Sequence, residues 1–372
     1  MPAEPEQRDD SAVTIIDDPE STAELTRLRQ VMREFVGVTQ ARAPLYARLA
    51  AGVSEHDEVV GLLRVAPVAH RMPVTFFAAV HDVLLADPDE PLAAWYPNLN
   101  RNPRTDDPLP ALLELCRRRE AELIARISTR TPQTNEIGRS AVLLVALARL
   151  GEEVGPLVQL DVGASAGLNL LADRFSYDFD GHRVGTGDLR LSCGVRGTAR
   201  PELLPSRLPL ITDRLGLDRE PIDVTDAEQV RWLEACVWPD QPDRFQRLRT
   251  AISLAAAERP QLIRGDAVAD LADAVSRLGA GHPVVTTSWV LNYLGPRGQA
   301  AFERAVGAVG AQRDLSLVSY EQPDLTPGLG WPSGVASWQL SVLRIVRWRS
   351  GRRTDDVVLA GHPHGYWIQW PD

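Results

Sequence analysis

The stretch that most constrains the fold is LVQLDVGASAGLNL, residues 157–170. Leu157, Val158, Leu160 and Val162 make a short, nearly unbroken apolar run, the pattern of a strand buried on both faces. Gly163, Ala164, Ser165, Ala166 and Gly167 follow as a turn of small residues, and residues 168–175 return to helical spacing. Strand, tight glycine turn and helix, in that order, aim backbone N–H groups and a helix N-terminus at a bound ligand. Asp161, near the end of the strand, sets an acid beside the turn. A small-molecule site is expected here.

Three chemistries use such a turn, and spacing separates them. A dinucleotide fingerprint needs G-x-G-x-x-G, but position 165 is serine and position 168 is leucine. A hydrolase nucleophile elbow needs G-x-S-x-G, which Gly163 to Gly167 satisfies letter for letter. The pattern D-x-G-x-G-x-G resembles the first motif of S-adenosylmethionine-dependent methyltransferases. Asp161, Gly163 and Gly167 match it, while Ser165 replaces the middle glycine. An ordinary strand-to-helix turn without a ligand is the remaining possibility.

What precedes residue 157 weighs on that choice. Apolar residues at 25, 28, 31, 32 and 35, and again between 112 and 127, recur at helical intervals. Prolines at 88, 91, 97, 103, 108 and 110 break the region between into loops. No convincing strand precedes Leu157. A hydrolase elbow normally follows several strands of its sheet, whereas a methyltransferase's glycine turn follows the first, so the order favours the methyltransferase pattern. The expected organisation is a disordered tail over 1–20, a helical domain over 21–151, and a cofactor-binding domain over 152–372 with an insertion near 176–210.

Charge excludes some partners. The net charge of −10 argues against a nucleic-acid backbone, and all 40 basic residues are arginine. Cys116, Cys193 and Cys236 lie far apart with no C-x-x-C pair, so neither a disulfide framework nor a zinc site is suggested. An acidic, polar N-terminus and the lack of a bilayer-length apolar run lead to the expectation of a cytoplasmic protein without a membrane partner.

After the turn, the pattern predicts further strands that each end in a polar residue. GLDREPIDV places Asp218 after a short apolar approach, where an acid would meet a ribose diol. QLIRGDA ends in Gly265, Asp266 and Ala267, and PVVTTS ends in Ser288. LSLVSYE ends in Tyr320 and Glu321, at the edge where open α/β sheets place their chemistry. The last sixty or so residues read as two antiparallel strands, 340–348 and 357–370. His362 and His364 in the second offer a general base or a hydrogen-bonded turn, and no clustered partners favour a metal. Ser165, then Glu321 or Asp324, then His364 also reproduce the hydrolase order of serine, acid and histidine. Upstream, Asn135 is expected to cap a helix whose first turn carries a Glu136–Arg139 pair. The arginine runs at 117–119 and 347–353 read as solvated faces.

With these motifs assembled, the chain resembles a bacterial family designated domain of unknown function 2332. The likeness rests on QTNEIGRS at 133–140, LDVGASAGLNLLADRFSY at 160–177, GLDREPIDV at 216–224, RGDA at 264–267 and HPHG at 362–365. It implies an α/β, Rossmann-like methyltransferase fold: a mostly parallel seven-stranded sheet after an N-terminal helical domain. The resemblance leaves the reaction open. The motifs point to S-adenosylmethionine as cofactor, held by Asp161, Gly163, Ala164, Ser165, Gly167, Asn169, Asp218, Gly265, Asp266, Ala267 and Ser288. The expected reaction is methyl transfer to a small molecule, with His364, Glu321 and Tyr320 as candidate catalytic groups. A serine hydrolase, or a binding protein that kept the fold without the chemistry, stands as the alternative. The Asn/Asp-Pro-Pro-aromatic motif of base-modifying methyltransferases is absent from the sequence.

Overall fold

The apolar run at 157–162 forms β1 (Leu157–Val162), buried at every position, and the rest of its unit is built outward from it. The computed structural model describes residues 19–198, 200–325 and 340–371. Residues 1–18 of the expected tail lie outside the described residues. The chain divides into two units: Met1–Pro132 with Trp238–Asp240, and Gln133–Val237 with Gln241–Asp372.

The described part of the first unit is helical: α1 (Pro19–Thr39), α2 (Pro44–Val53), α3 (Asp57–Val60), α4 (Pro73–Ala86), α5 (Leu109–Arg118) and α6 (Glu120–Thr129), joined by loops and 3₁₀ turns. α4 is buried along most of its length, as its apolar sequence requires. α5 and α6 bury only a stripe, Leu112 and Leu115 on one and Leu123 and Ile127 on the other. Trp238 packs on Phe35 and Tyr46, so the three-residue segment from the far side of the sequence belongs here. Two arginines of the 117–119 run are not simply solvated: Arg118 and Arg119 reach the buried Glu90 at 2.6 and 2.9 Å. A buried carboxylate must be paired, and this pair of cations does so.

In the second unit α7 (Arg139–Val154) precedes β1 and packs against the sheet. β2 (Ser176–Phe179), β3 (His182–Val184) and β4 (Arg190–Ser192) make a small separate sheet in the expected insertion. β5 (Gly194–Arg196) and β6 (Ile211–Asp218) return to the main sheet, followed by α8 (Ala227–Ala235), α9 (Pro242–Glu258) and β7 (Gln261–Arg264). The remainder is α10 (Leu271–Ser276), β8 (His282–Ser288), α11 (Leu291–Gln312), β9 (Leu315–Glu321), β10 (Ser341–Arg349), β11 (Arg352–Gly361) and β12 (Trp367–Gln369).

Among the described residues the main sheet has nine strands, in the order β5-β12-β11-β10-β9-β8-β1-β6-β7. From β7 to β9 all pairs are parallel; β9, β10, β11 and β12 are antiparallel to one another, and β12 pairs parallel with β5. The expected count of seven is therefore corrected to nine, in a mixed sheet. Two causes are visible. The insertion sends β5 back to the sheet edge. Residues 357–370, read as one strand, are split by a turn in which Gly365 takes φ +70°. Chain order runs from β1 to β6 and β7 on one side, then to β8 and β9 on the other. The two directions part beside β1, the topological switch point of a doubly wound sheet.

Strand alternation sorts β1's side chains. Val158, Leu160 and Val162 join Leu215, Leu217, Val285 and Leu317 in a core with Leu271 of α10 and Phe302 and Val306 of α11. Gln159 and Asp161 point to the opposite side, where Thr286 links them: Gln159 donates to its hydroxyl at 3.2 Å, and that hydroxyl donates to Asp161 at 2.7 Å.

The helix expected after the turn is a second correction. Residues Leu168–Arg174 form 3₁₀ turns with a non-helical break at Leu171, not an α-helix. Side chains occupy the carbonyls: Arg214 donates to Leu170 O at 2.9 Å, and the Tyr177 hydroxyl donates to Ala172 O at 2.6 Å. Bonds of that kind replace i→i+4 amides.

Candidate functional site

The glycine turn lies at the carboxyl end of β1. Gly163, Ser165 and Gly167 have φ of +74°, +53° and +71°. A Cβ on Gly163 would sit 2.3 Å from Val290 Cγ2, so this position has room only for glycine. Ser165 holds the left-handed conformation without being glycine, at the place where the methyltransferase pattern has its middle glycine. Its strain is about 1–2 kcal/mol.

Most amides of the turn bond within the protein. Gly163 N–H donates to Leu217 O at 2.8 Å and Gly167 N–H to Ala164 O at 2.7 Å. Ser165 N–H donates to Asp218 Oδ2 at 2.7 Å, and Leu168 N–H to Asn135 Oδ1 at 3.1 Å. Asn135 thus caps this segment, whereas α7 has Gly138 at its N-cap and no side-chain cap, contrary to the expected role.

The acids fall in a row along the same edge. Asp161 is 2% exposed, and burial pushes its pKa up to about 7 against the hydrogen bond from Thr286. Asp218 ends β6 and accepts from Ser165 N–H on one oxygen and from Glu220 N–H, at 2.8 Å, on the other. Each oxygen keeps a second lone pair. Asp266 follows β7. Arg219, at 2.8 Å, and the Ala269 and Val268 amides hold its pKa down to about 2. Gly265 N–H donates to Asp218 O, tying the two strand ends, and Ala267 packs on the core. Asn169 accepts from the Ser140 hydroxyl at 2.7 Å. The Ser288 carbonyl accepts from Arg139 Nη1 at 3.0 Å.

Tyr320 and Glu321 are engaged elsewhere. The fully buried Tyr320 hydroxyl donates to His362 O at 2.7 Å. Glu321 accepts from Val290 and Leu291 N–H and so caps the start of α11. Burial raises its pKa to about 7. The hydrolase trio is not assembled. Ser165 Oγ donates to Gln133 at 3.3 Å, Glu321 faces α11, Asp324 is exposed, and His364 Nδ1 meets Glu136 at 2.9 Å.

That last contact was missed in the sequence. The expected Glu136–Arg139 pair does not form. Glu136 turns to Arg244 of α9, 2.6 Å away, and to His364. Arg139, also buried, donates through Nε to Pro363 O at 2.9 Å and lies over the Trp289 ring. The signal lay in two glycine-bearing motifs, NEIG and HPHG, whose partnership no local spacing reveals. A small cleft lies beside them, walled by Gln133, Asn135 and Glu136 and by Leu233, Arg244 and Leu248 of α8 and α9.

The second unit is thus a doubly wound α/β unit with a glycine turn and flanking acids at the carboxyl ends of its strands, beside its switch point. The chain is a member of the family described as "Uncharacterized protein conserved in bacteria (DUF2332)", whose model matches residues 29–370. A crystal structure of a S-adenosylmethionine-dependent methyltransferase from Clostridium acetobutylicum is similar with a TM-score of 0.24 and 10% identity, over 66% of this chain and 81% of that one. No curated protein matches the chain. Among the described residues no helix is long and apolar enough to cross a membrane.

Proposed function

We propose that the second unit binds S-adenosylmethionine and serves methyl transfer to a small molecule, in the cytoplasm and without a nucleic-acid or membrane partner. The observation that carries this reading is Asp218, a carboxylate at the end of the strand next to β1, fixed 2.7 Å from the turn's Ser165 N–H. An acid so placed suits a ribose diol. The donor set fits an adenosyl ligand chiefly through its acids, because the amides of Gly163, Ala164, Ser165, Gly167 and Leu168 bond within the protein. Asp218 retains a lone pair on each oxygen for the ribose, and Asp266 retains one on Oδ2 for the adenine amino group. Gly163 and Gly167 let the turn's backbone approach. When bound, the sulfonium supplies an electrophilic methyl group. The chain's own contribution is to position that group and its acceptor.

Calorimetric titration of the full chain with S-adenosylhomocysteine tests this. Wild type should bind. Asp218→Ala should weaken binding by about tenfold or more, the cost of an unpaired diol hydroxyl, in a chain that still folds though with a lower melting temperature from the freed Ser165 and Glu220 N–H groups. No heat and no thermal stabilisation of wild type would overturn the reading.

A further inference from the structure

The turn bonds Gln133 and Asn135 but leaves Glu136 aside, and the fold presses segment 133–140 against segment 362–365. A Cβ on Gly138 would lie 2.2 Å from His364 O, and one on Gly365 would lie 2.0 Å from Gly138 O. The two backbones therefore touch, and only glycines allow it. The approach brings His364 Nδ1 to 2.9 Å from Glu136 Oε2. Glu136 is 3% exposed and His364 24%. The other bonds to the carboxylate fix its orientation: Gly138 N–H donates to Oε1 at 3.1 Å and Arg244 to Oε2 at 2.6 Å. A carboxylate only accepts, so Nδ1 carries the imidazole proton and Nε2 keeps a bare lone pair. Nε2 has no hydrogen-bond partner among the described residues.

We infer that Glu136 and His364 form a carboxylate–imidazole base for a hydroxyl-bearing small molecule, with Arg244 holding the carboxylate in place. The inference rests on the small-molecule transfer reading above and names its acceptor class. An acceptor that is already an anion at neutral pH needs no base; a hydroxyl does. Its O–H bond breaks, the electron pair stays on oxygen and the proton bonds to Nε2. The imidazolium so formed is balanced by Glu136. Glu136 is thus a positioning residue acting through His364. Glu136 and Arg244 also wall the small cleft described above, where Leu233 and Leu248 add an apolar side. The groups around the ring keep it neutral. Burial lowers its pKa and Arg244 and Arg139 add to this, while Glu136 opposes them. His362 and Tyr366 are the remaining polar rings beside it.

The test is acylation of the full chain by diethyl pyrocarbonate between about pH 5 and 8, followed at each histidine by peptide mass spectrometry with His56 as reference. His364 should be acylated through a single ionisation below the ordinary histidine value. Glu136→Gln, which offers an NH2 where a second acceptor is needed, should slow its acylation by about tenfold or more and move the inflection lower, leaving His56 unchanged. Long-range proton–nitrogen NMR of wild type reads the tautomer directly and does not depend on the variant folding. An Nε2–H tautomer, or a His364 that reacts alike in wild type and Glu136→Gln, would overturn the inference. Titration of the same samples with S-adenosylhomocysteine separates the two readings. Binding without a reactive His364 removes the base alone, and a reactive His364 without binding removes the methyl donor alone.

Discussion

Asp161→Asn isolates the cost of the acid at the centre of the sheet. Asp161 is 2% exposed, with Thr286 its hydrogen-bond donor at 2.7 Å, and burial lifts its pKa to about 7 from 3.8. A folded-state value above the unfolded one means that the native chain holds the proton over the interval where the unfolded chain has lost it. Stability therefore falls as pH rises through that window, and the full cost is present above the folded value. Roughly three units at 1.36 kcal/mol each put that cost at about 4 kcal/mol. Asparagine keeps the shape and the acceptor for Thr286 but does not ionise. The stability difference between variant and wild type should then grow in the variant's favour by roughly 3 kcal/mol from pH 5 to pH 8. Taking the difference cancels the parallel cost of Glu321, whose pKa is also about 7. Urea unfolding at both pH values, followed by tryptophan fluorescence, supplies the measurement. A difference that stays constant with pH would refute the argument that burial keeps this carboxyl protonated.

Three further outcomes follow from the geometry. Ser165→Gly should stabilise the fold by up to about 1 kcal/mol through relief of the left-handed strain, offset in part by the added freedom of the unfolded chain, as read by thermal melting. A fluorophosphonate probe should leave Ser165 unlabelled, because its hydroxyl meets Gln133 and no histidine; rapid stoichiometric labelling would reinstate the hydrolase. Gly365→Ala should destabilise the second unit by about 2 kcal/mol or more, since the methyl would lie 2.0 Å from Gly138 O at a φ of +70°, and an unchanged melting curve would show that the two segments can part freely.

Local sequence chemistry carried much of this structure. The apolar run 157–162 and the acids that end β6 and β9 were legible because strand, turn and terminal acid are encoded within a few residues. What failed was long-range. β5 joins β12 across more than 160 residues of chain, and three-residue strands carry no periodicity to announce them. The helix after Gly167 was lost to Arg214 and Tyr177, side chains that claim its carbonyls from outside. Glu136 looked like half of an i,i+3 pair because that partner is the one sequence can see. Its actual partners, Arg244 and His364, lie 108 and 228 residues away.

The position of β1 has a consequence for how the chain acquires its structure. Leu160 lies between Leu215 of β6 and Val285 of β8. The first strand of the sheet therefore has both hydrogen-bonding edges unfilled until segments some 50 and 125 residues downstream arrive. Parallel pairing across such distances closes large loops before any contact rewards the closure, so assembly is slow for a protein of this size. In the interval LVQLDV is a naked, apolar, unpaired ribbon, the kind of segment that seeds self-association at high concentration. Refolding yield should fall as protein concentration rises, and the vulnerable period should end only when His282–Ser288 has docked.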